Sequence, residues 1–245
     1  MSKQGLVLDK VVLLGRTFEE YVLYFALDPE ALRGRSVLDV ASGVSSFCAE
    51  ANAQGIHATA FDLIYAFSPD EIHSRCEPDL EKVTRNIALA KTYKWDFYKS
   101  PEGMRRYRER AYRAFLADYR TQRGARYVAG DLPRLPFADG QFDVTLTSYL
   151  LFVYEHRFDY EFHKRSVLEM MRITKDEARC YPIVTFEARR SSYIDRLQSD
   201  PDLKHLTFEH VRTDFEFLIG SNFFLRIRHR AGQNKTPPSI QPEAD

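Results

Sequence analysis

The stretch Ser36-Val37-Leu38-Asp39-Val40-Ala41-Ser42-Gly43-Val44-Ser45-Ser46-Phe47 decides the fold. A short apolar run carries an acid near its end and passes into a loop of small residues. An amphipathic segment running to Gln54 follows, and Gly55 stops it. This pattern predicts a strand over 36–41, a tight turn and a helix over 45–54, the opening unit of a nucleotide-binding α/β sheet. Small residues let the backbone approach a ligand closely, and a helix N-terminus offers free N–H groups. The acid argues against a phosphate ligand. A carboxylate at a strand end repels a pyrophosphate but attracts an ammonium or hydroxyl group. The expected ligand is therefore an aminoacyl nucleoside rather than a dinucleotide.

Further strands are predicted outward from this unit. The second, 56–62, again ends in an acid, Asp62. The third is 126–130, the fourth 142–148 after the turn 131–140, and the fifth 179–186 after a helix over 160–174. A short helix over 191–199 precedes two extended runs, 206–213 and 222–229, and Gly220-Ser221-Asn222 marks a closing hairpin. Residues 6–27 show apolar positions at helical spacing, broken by Asp28-Pro29. A simple crossover needs only about 10–12 residues. The stretch 64–124 is far longer and predicts extra helices at 69–74, 78–98 and 101–122. Alternating strands and helices imply a mostly parallel sheet with helices on both faces and an antiparallel terminal hairpin. The organisation expected is one domain over 1–230 with 64–124 as a helical insertion. The tail 231–245, rich in Pro, Gln and Asn, is expected to be disordered.

Composition narrows the function classes. The chain has 245 residues, 44% hydrophobic and 29% charged, which suits a soluble globular protein with a full core. Lys plus Arg and Asp plus Glu both number 35, so net charge gives no reason to expect a polyanionic partner. Cys48, Cys76 and Cys180 are too few and too far apart for a disulfide framework or a metal site, and no metal is expected. No run has the length of a membrane span and the N-terminus lacks a signal-peptide core, so a cytoplasmic protein without membrane contact is expected.

Ligands of open α/β sheets bind beyond the carboxyl ends of the strands. Those ends carry Asp39 to Ser46, Asp62, Asp131-Leu132 and Ser148-Tyr149. With Gly130-Asp131, Leu135-Pro136-Phe137 and Phe142-Asp143-Val144, the chain resembles class I S-adenosylmethionine-dependent methyltransferases over roughly 30–230. More narrowly it resembles an uncharacterised bacterial branch whose first loop reads Ser-Gly-x-Ser-Ser-Phe and whose fourth strand is followed by a Tyr-x-x-x-Phe-His segment; the corresponding stretches here are Ser42–Phe47 and Tyr154 to His163. The resemblance implies a seven-stranded Rossmann-like methyltransferase sheet, S-adenosylmethionine as cofactor and S-adenosylhomocysteine as product.

The resemblance also implies roles. The backbone of Ala41, Gly43, Ser45 and Ser46 would pass the methionine part, with Asp39 on its amino group. Asp62 would accept both ribose hydroxyls. Asp131 would accept from the adenine amino group, with the Leu132 N–H on a ring nitrogen. Ser148 and Tyr149 would lie near the methyl group. The usual loop has three glycines at alternate positions; here Ala41 and Ser45 replace two of them. Asp143 instead caps a strand entrance and carries no catalytic role.

Outside these strand ends the residues admit alternatives. Arg16 and Tyr21 reach the cofactor carboxylate if their helix folds over the site; otherwise Arg16 is solvated and Tyr21 is core. Residues 66–126 hold fourteen Lys or Arg against nine Asp or Glu. An Arg-rich helical lid with charges facing water and aromatics packed inward is favoured over a nucleic-acid surface. After the fourth strand, Tyr154, Glu155, His156 and His163 are polar candidates beside Tyr149, with His156 a possible general base. The activity expected is methyl transfer to an O, N or S nucleophile of a small molecule. An RNA or protein methyltransferase, or a silent cofactor-binding module, is the alternative.

Overall fold

In the computed structural model, which describes residues 12–231, strands β1 (Ser36–Val40), β2 (His57–Asp62), β3 (Tyr127–Ala129), β4 (Phe142–Ser148), β5 (Thr174–Tyr181), β6 (Leu206–Arg212) and β7 (Phe223–His229) form one sheet. Its order is β3-β2-β1-β4-β5-β7-β6. All pairings are parallel except those of β7 with β5 and β6. Chain order reverses between β1 and β4, which sets a crevice at their carboxyl ends. The expected tail 231–245 lies outside the described residues except for its first position.

Helices cover both faces. Helices α1 (Phe18–Phe25), α2 (Pro29–Leu32), α3 (Phe47–Ala53), α4 (Pro69–Ile87) and α5 (Pro101–Gln122) contribute to one apolar core; α6 (Tyr160–Ile173) and α7 (Tyr193–Ser199) contribute to the other. The strands divide their side chains between these cores with the two-residue period of a pleated sheet. Val37, Ala58, Ala60, Val144 and Leu146 enter the first, whereas Leu38, Val40, Phe61, Ala178 and Cys180 enter the second. Asp143 caps the entrance as expected: its Oδ2 accepts from the Ser36 N–H at 2.8 Å. Among the described residues, no helix is long and apolar enough to cross a membrane.

Three elements differ from the sequence reading. The N-terminal helix begins only at Phe18, and the described part before it, 12–17, is not helical. Thr17 and Glu20 form a reciprocal capping box, which fixes the helix start where apolar periodicity alone extends it too far. Residues 6–11 of the expected helix lie outside the described residues. In the long crossover, 69–74 and 78–98 give way to one helix, α4, which runs through Pro78 and ends at Ile87. Strand β5 begins five positions earlier than expected, directly after α6, because Thr174 both caps that helix and starts the strand. Its Lys175-Asp176-Glu177 opening hides it from an apolar pattern, although Glu177 is buried beneath Arg179 and Arg228.

One buried ion pair ties the long crossover to α1. Arg108 of α5 places Nη1 2.5 Å from Glu20 Oε1, and both side chains are essentially inaccessible. Tyr24 donates to the same carboxylate at 2.9 Å, the Thr17 N–H at 2.8 Å, and Tyr98 also donates. Arg108 further donates to the Gly15 carbonyl at 3.1 Å and the Tyr98 hydroxyl at 2.7 Å. Burial would push the Glu20 carboxyl up, but the Arg108 charge and these donors outweigh it and hold the pKa below the ordinary value. Removing one partner of such a pair strands the other charge. Arg108→Met should therefore cost about 3–5 kcal/mol in denaturant unfolding, and adding Glu20→Met should restore most of that loss. A loss under about 1 kcal/mol for the single variant would show that the pair does not hold the crossover.

Candidate functional site

A cavity of about 510 Å³ opens at the carboxyl ends of β1, β2 and β4, within the range of about 300–1,000 Å³ typical of small-molecule sites. Its floor is the loop after β1. Ala41 and Gly43 both adopt left-handed backbone, φ 56° and 58°. Glycine does so freely, whereas Ala41 holds it at a cost of about 1–2 kcal/mol. The left-handed conformation that a glycine at position 41 would give is therefore kept by alanine. Asp62, at the end of β2, fastens this loop: its Oδ2 accepts from the Gly43 N–H at 2.8 Å and its Oδ1 from the Ile64 N–H at 3.0 Å. The Tyr65 hydroxyl donates to the Gly43 carbonyl at 2.8 Å. Asp62 also lines the cavity; burial raises its pKa, against the two backbone donors and the Arg75 charge.

The segment before α1 crosses the outside of this loop as a strap. The Arg16 N–H donates to Ser45 Oγ at 3.1 Å, and the Ser46 N–H donates to the Arg16 carbonyl at 2.9 Å. A Cβ on Gly15 would stand 2.1 Å from the Val44 carbonyl oxygen, so only glycine lets the two backbones approach this closely. The strap puts the Arg16 guanidinium over the Tyr149 ring, 4.1 Å from its centroid. No carboxylate among the described residues pairs with Arg16, and its buried Nε lacks a hydrogen-bond partner. Tyr149, directly after β4, is also left-handed at φ 54°, and its buried hydroxyl is likewise unpartnered. Backbone strain of this kind clusters at functional sites.

The residues expected from sequence divide into two groups. Arg16, Ala41, Gly43 and Ser45 line the cavity, as do Asp62, Asp131 and Leu132. Ser148, Tyr149 and Tyr154 line it on the β4 side. Asp39, Tyr21, Ser46 and His156 do not. Tyr21 does not reach outward to a ligand carboxylate; its hydroxyl donates to Asp39 at 2.9 Å and meets Ser148 Oγ at 3.0 Å, while its ring stacks on Phe47. The Ser46 hydroxyl is spent on Glu50 Oε1 at 2.9 Å. His156 is exposed on a turn beside Tyr154, so the loop does not bring it to the cavity as a general base. His163 is buried, with its ring nitrogens 2.7 and 2.8 Å from the Asp159 and Leu151 carbonyls. Glu155 accepts from Ser191 and from the Ser192 N–H.

Sequence reasoning did not single out the opposite wall. Tyr93, Met104 and Arg108 of the long crossover line it, together with Phe186 and Phe217. The crossover reaches the β6–β7 connection through hydrogen bonds from the Lys94 N–H to the Phe217 carbonyl, 2.7 Å, and from the Ile219 N–H to the Thr92 carbonyl, 2.8 Å. These contacts join distant stretches of chain, and only spacing within one element is legible in a single sequence. Three of the insertion's other arginines face carboxylates: Arg105 pairs with Glu77 and Glu109, Arg110 with Glu19, and Arg120 with Asp70, whereas Arg113 lies over the Tyr112 ring and Arg123 donates to the Ala66 carbonyl. Among the described residues no cluster of His, Cys, Asp and Glu is placed to hold a metal.

Asp39 anchors the floor from beneath. It is fully buried, and burial pushes its carboxyl up to about 7, against the hydrogen bond of Tyr21. A carboxyl whose folded pKa exceeds its unfolded value of 3.8 stabilises the fold below that value. The contribution is lost as pH rises from about 4 through about 7, with a slope of at most about 1.4 kcal/mol per pH unit. Relative to the parent chain, Asp39→Asn should therefore gain stability across that window, measured as unfolding free energy against pH. Parallel pH profiles for the two proteins would contradict a proton held on Asp39.

No family model matches the chain. A relative of known sequence does: uncharacterized protein MJ0045 of Methanocaldococcus jannaschii is 37% identical over 223 residues, which span 90% of this chain and 97% of the relative. Among solved structures, magnesium protoporphyrin IX methyltransferase (ChlM) of Synechocystis PCC 6803 with bound S-adenosylmethionine is 11% identical, with a TM-score of 0.45 over 86% of this chain and 77% of that one. A TehB-like methyltransferase of Corynebacterium glutamicum is 14% identical, with a TM-score of 0.44 over 87% and 88% of the two chains. No residue role follows from overlaps this distant. The strand order itself, with its antiparallel β7 inserted between β5 and β6, is that of the class I methyltransferase fold. The chain belongs to the same family as protein MJ0045.

Proposed function

We propose that the chain transfers the methyl group of S-adenosylmethionine to an O, N or S nucleophile of a small molecule. The observation that carries this reading is the Asp62 clamp, a carboxylate that fixes the loop after β1 while facing the same cavity. Asp62 accepts the ribose hydroxyls there. Charged hydrogen bonds of this kind are worth roughly 1.5–3 kcal/mol each. Asp131 and the Leu132 N–H take the adenine edge. The Ala41–Ser45 backbone passes the methionine part, and Arg16, with its unpartnered Nε, meets the carboxylate. Asp39 acts at one remove, holding Tyr21 and through it Ser148.

The cofactor supplies an activated methyl group on a good leaving group. The protein's part is alignment. Tyr149 and Ser148 fix the β4 side, Tyr154 stands on the acceptor side, and the helical crossover with the non-helical strap forms a lid that keeps water out. Orientation of this kind can contribute roughly 7–11 kcal/mol to the rate. The salt-bridged arginines of α5 favour a small-molecule acceptor over a polyanion.

Labelled methyl groups should pass from S-adenosylmethionine into the small-molecule fraction of a cell extract rather than into RNA or protein. Asp62→Ala should weaken S-adenosylhomocysteine binding at least about tenfold by calorimetry. Label appearing only in macromolecules would overturn the acceptor class. Unchanged affinity in the variant would overturn the ribose site.

A further inference from the structure

We propose that Tyr149 is a positioning residue: its ring is the platform that holds the Arg16 guanidinium, with its charge unspent, where the cofactor's amino-acid carboxylate binds. The inference rests on the cofactor placement proposed above and adds how Arg16 is held ready for it.

Arg16 and Arg108 both line the cavity, and they are held in opposite ways. Arg108 is fixed by the Glu20 carboxylate, which also neutralises it. Arg16 pairs with no carboxylate among the described residues. Its Nη1 donates to the Leu14 carbonyl, its backbone N–H donates to Ser45, and its Cζ lies 4.1 Å from the centroid of the Tyr149 ring. A ring face attracts a guanidinium through its quadrupole but carries no net charge. It therefore orients the cation without cancelling it, and the buried Nε keeps a donor that has no partner. The cavity continues into an aromatic end walled by Tyr93, Tyr154, Phe186 and Phe217. Among the described residues, no ring lining the cavity other than Tyr149 has a guanidinium over it.

The platform is braced. Tyr149 follows β4 directly, and its N–H donates to the Tyr181 carbonyl at 2.7 Å. Its left-handed backbone is one that glycine adopts freely, so the turn alone gives no reason for a large aromatic side chain. The ring makes T-shaped contacts with Tyr24 and Tyr181, at centroid distances of 5.7 and 5.6 Å. Those two rings stack on each other at 4.5 Å, and each is pinned by its hydroxyl, Tyr24 on Glu20 and Tyr181 on Ser221. The Tyr149 hydroxyl bonds nothing, so packing and not a hydrogen bond keeps its ring in place. Phenylalanine should therefore serve as well as tyrosine at this position, and an aliphatic side chain should not.

Calorimetry with two ligands tests this: S-adenosylhomocysteine, and 5′-methylthioadenosine, which keeps the nucleoside and sulfur but lacks the carboxylate. Tyr149→Leu should weaken S-adenosylhomocysteine about tenfold, the loss expected of a desolvated cation–ring contact, and leave methylthioadenosine within about twofold. Tyr149→Phe should stay within about twofold of the parent for both ligands. In an Arg16→Met background, Tyr149→Leu should cost S-adenosylhomocysteine less than about twofold more, because the contact is already gone. Unchanged methylthioadenosine affinity also reports an intact fold, and Tyr149→Met replaces the leucine variant should that one not fold. Equal losses for both ligands, no loss for either, or a full loss in the Arg16→Met background would overturn the proposal. If the parent chain binds no S-adenosylhomocysteine, or Arg16→Met weakens both ligands equally, the cofactor placement falls and the platform with it. If Arg16→Met weakens S-adenosylhomocysteine alone and Tyr149→Leu does not, the platform alone is wrong.

Discussion

A single buried charge pair, Glu20 with Arg108, governs how the site is enclosed. Burying two charges is costly unless geometry and extra donors compensate. Here Tyr24, Tyr98, Thr17 and the Gly15 carbonyl complete the network. The result locks α5 against α1 and the strap. Gly15 in turn lies against Val44 of the floor loop, and Arg16 bonds Ser45. The crossover, the strap and the floor are therefore one mechanical unit, and the position of the Arg16 guanidinium depends on a contact made by Arg108.

A second buried acid works from below. Asp39 is held by Tyr21, whose hydroxyl also meets Ser148 at the end of β4. Asp62 works from the side through Gly43. Thus the acids at the first two strand ends serve different purposes. Asp39 is internal and joins β1 to β4 through α1, whereas Asp62 is structural on its loop side and open on its cavity side. Proton affinity follows this division, since the fully enclosed Asp39 is pushed up to about 7 by burial.

The sheet was legible because its strands carry short apolar runs with acids or turn residues at their ends. Strand β5 was misplaced because buried Glu177, neutralised by Arg179 and Arg228, does not look like core. The floor of the site was legible for the same reason as the sheet: Ala41, Gly43, Asp62, Asp131 and Tyr149 lie at strand ends. Its enclosure was not. Arg108 sits among six other arginines between 105 and 123, and only its pairing with Glu20, 88 positions away, sets it apart. Likewise Tyr93 and Phe217 meet through a bridge between loops with no pattern of their own. His156 had the right chemistry for a base but stands on a turn that faces solvent.

The account comes down to one placement, the nucleoside on Asp62 with the amino-acid end at Arg16. A crystal structure of the chain with S-adenosylhomocysteine tests it most directly. The ribose hydroxyls should bond the Asp62 carboxylate, the amino-acid carboxylate should lie at Arg16, and the sulfur should face the aromatic end. A nucleoside bound away from Asp62, or turned with its adenine among Tyr93, Phe186 and Phe217, would contradict the account.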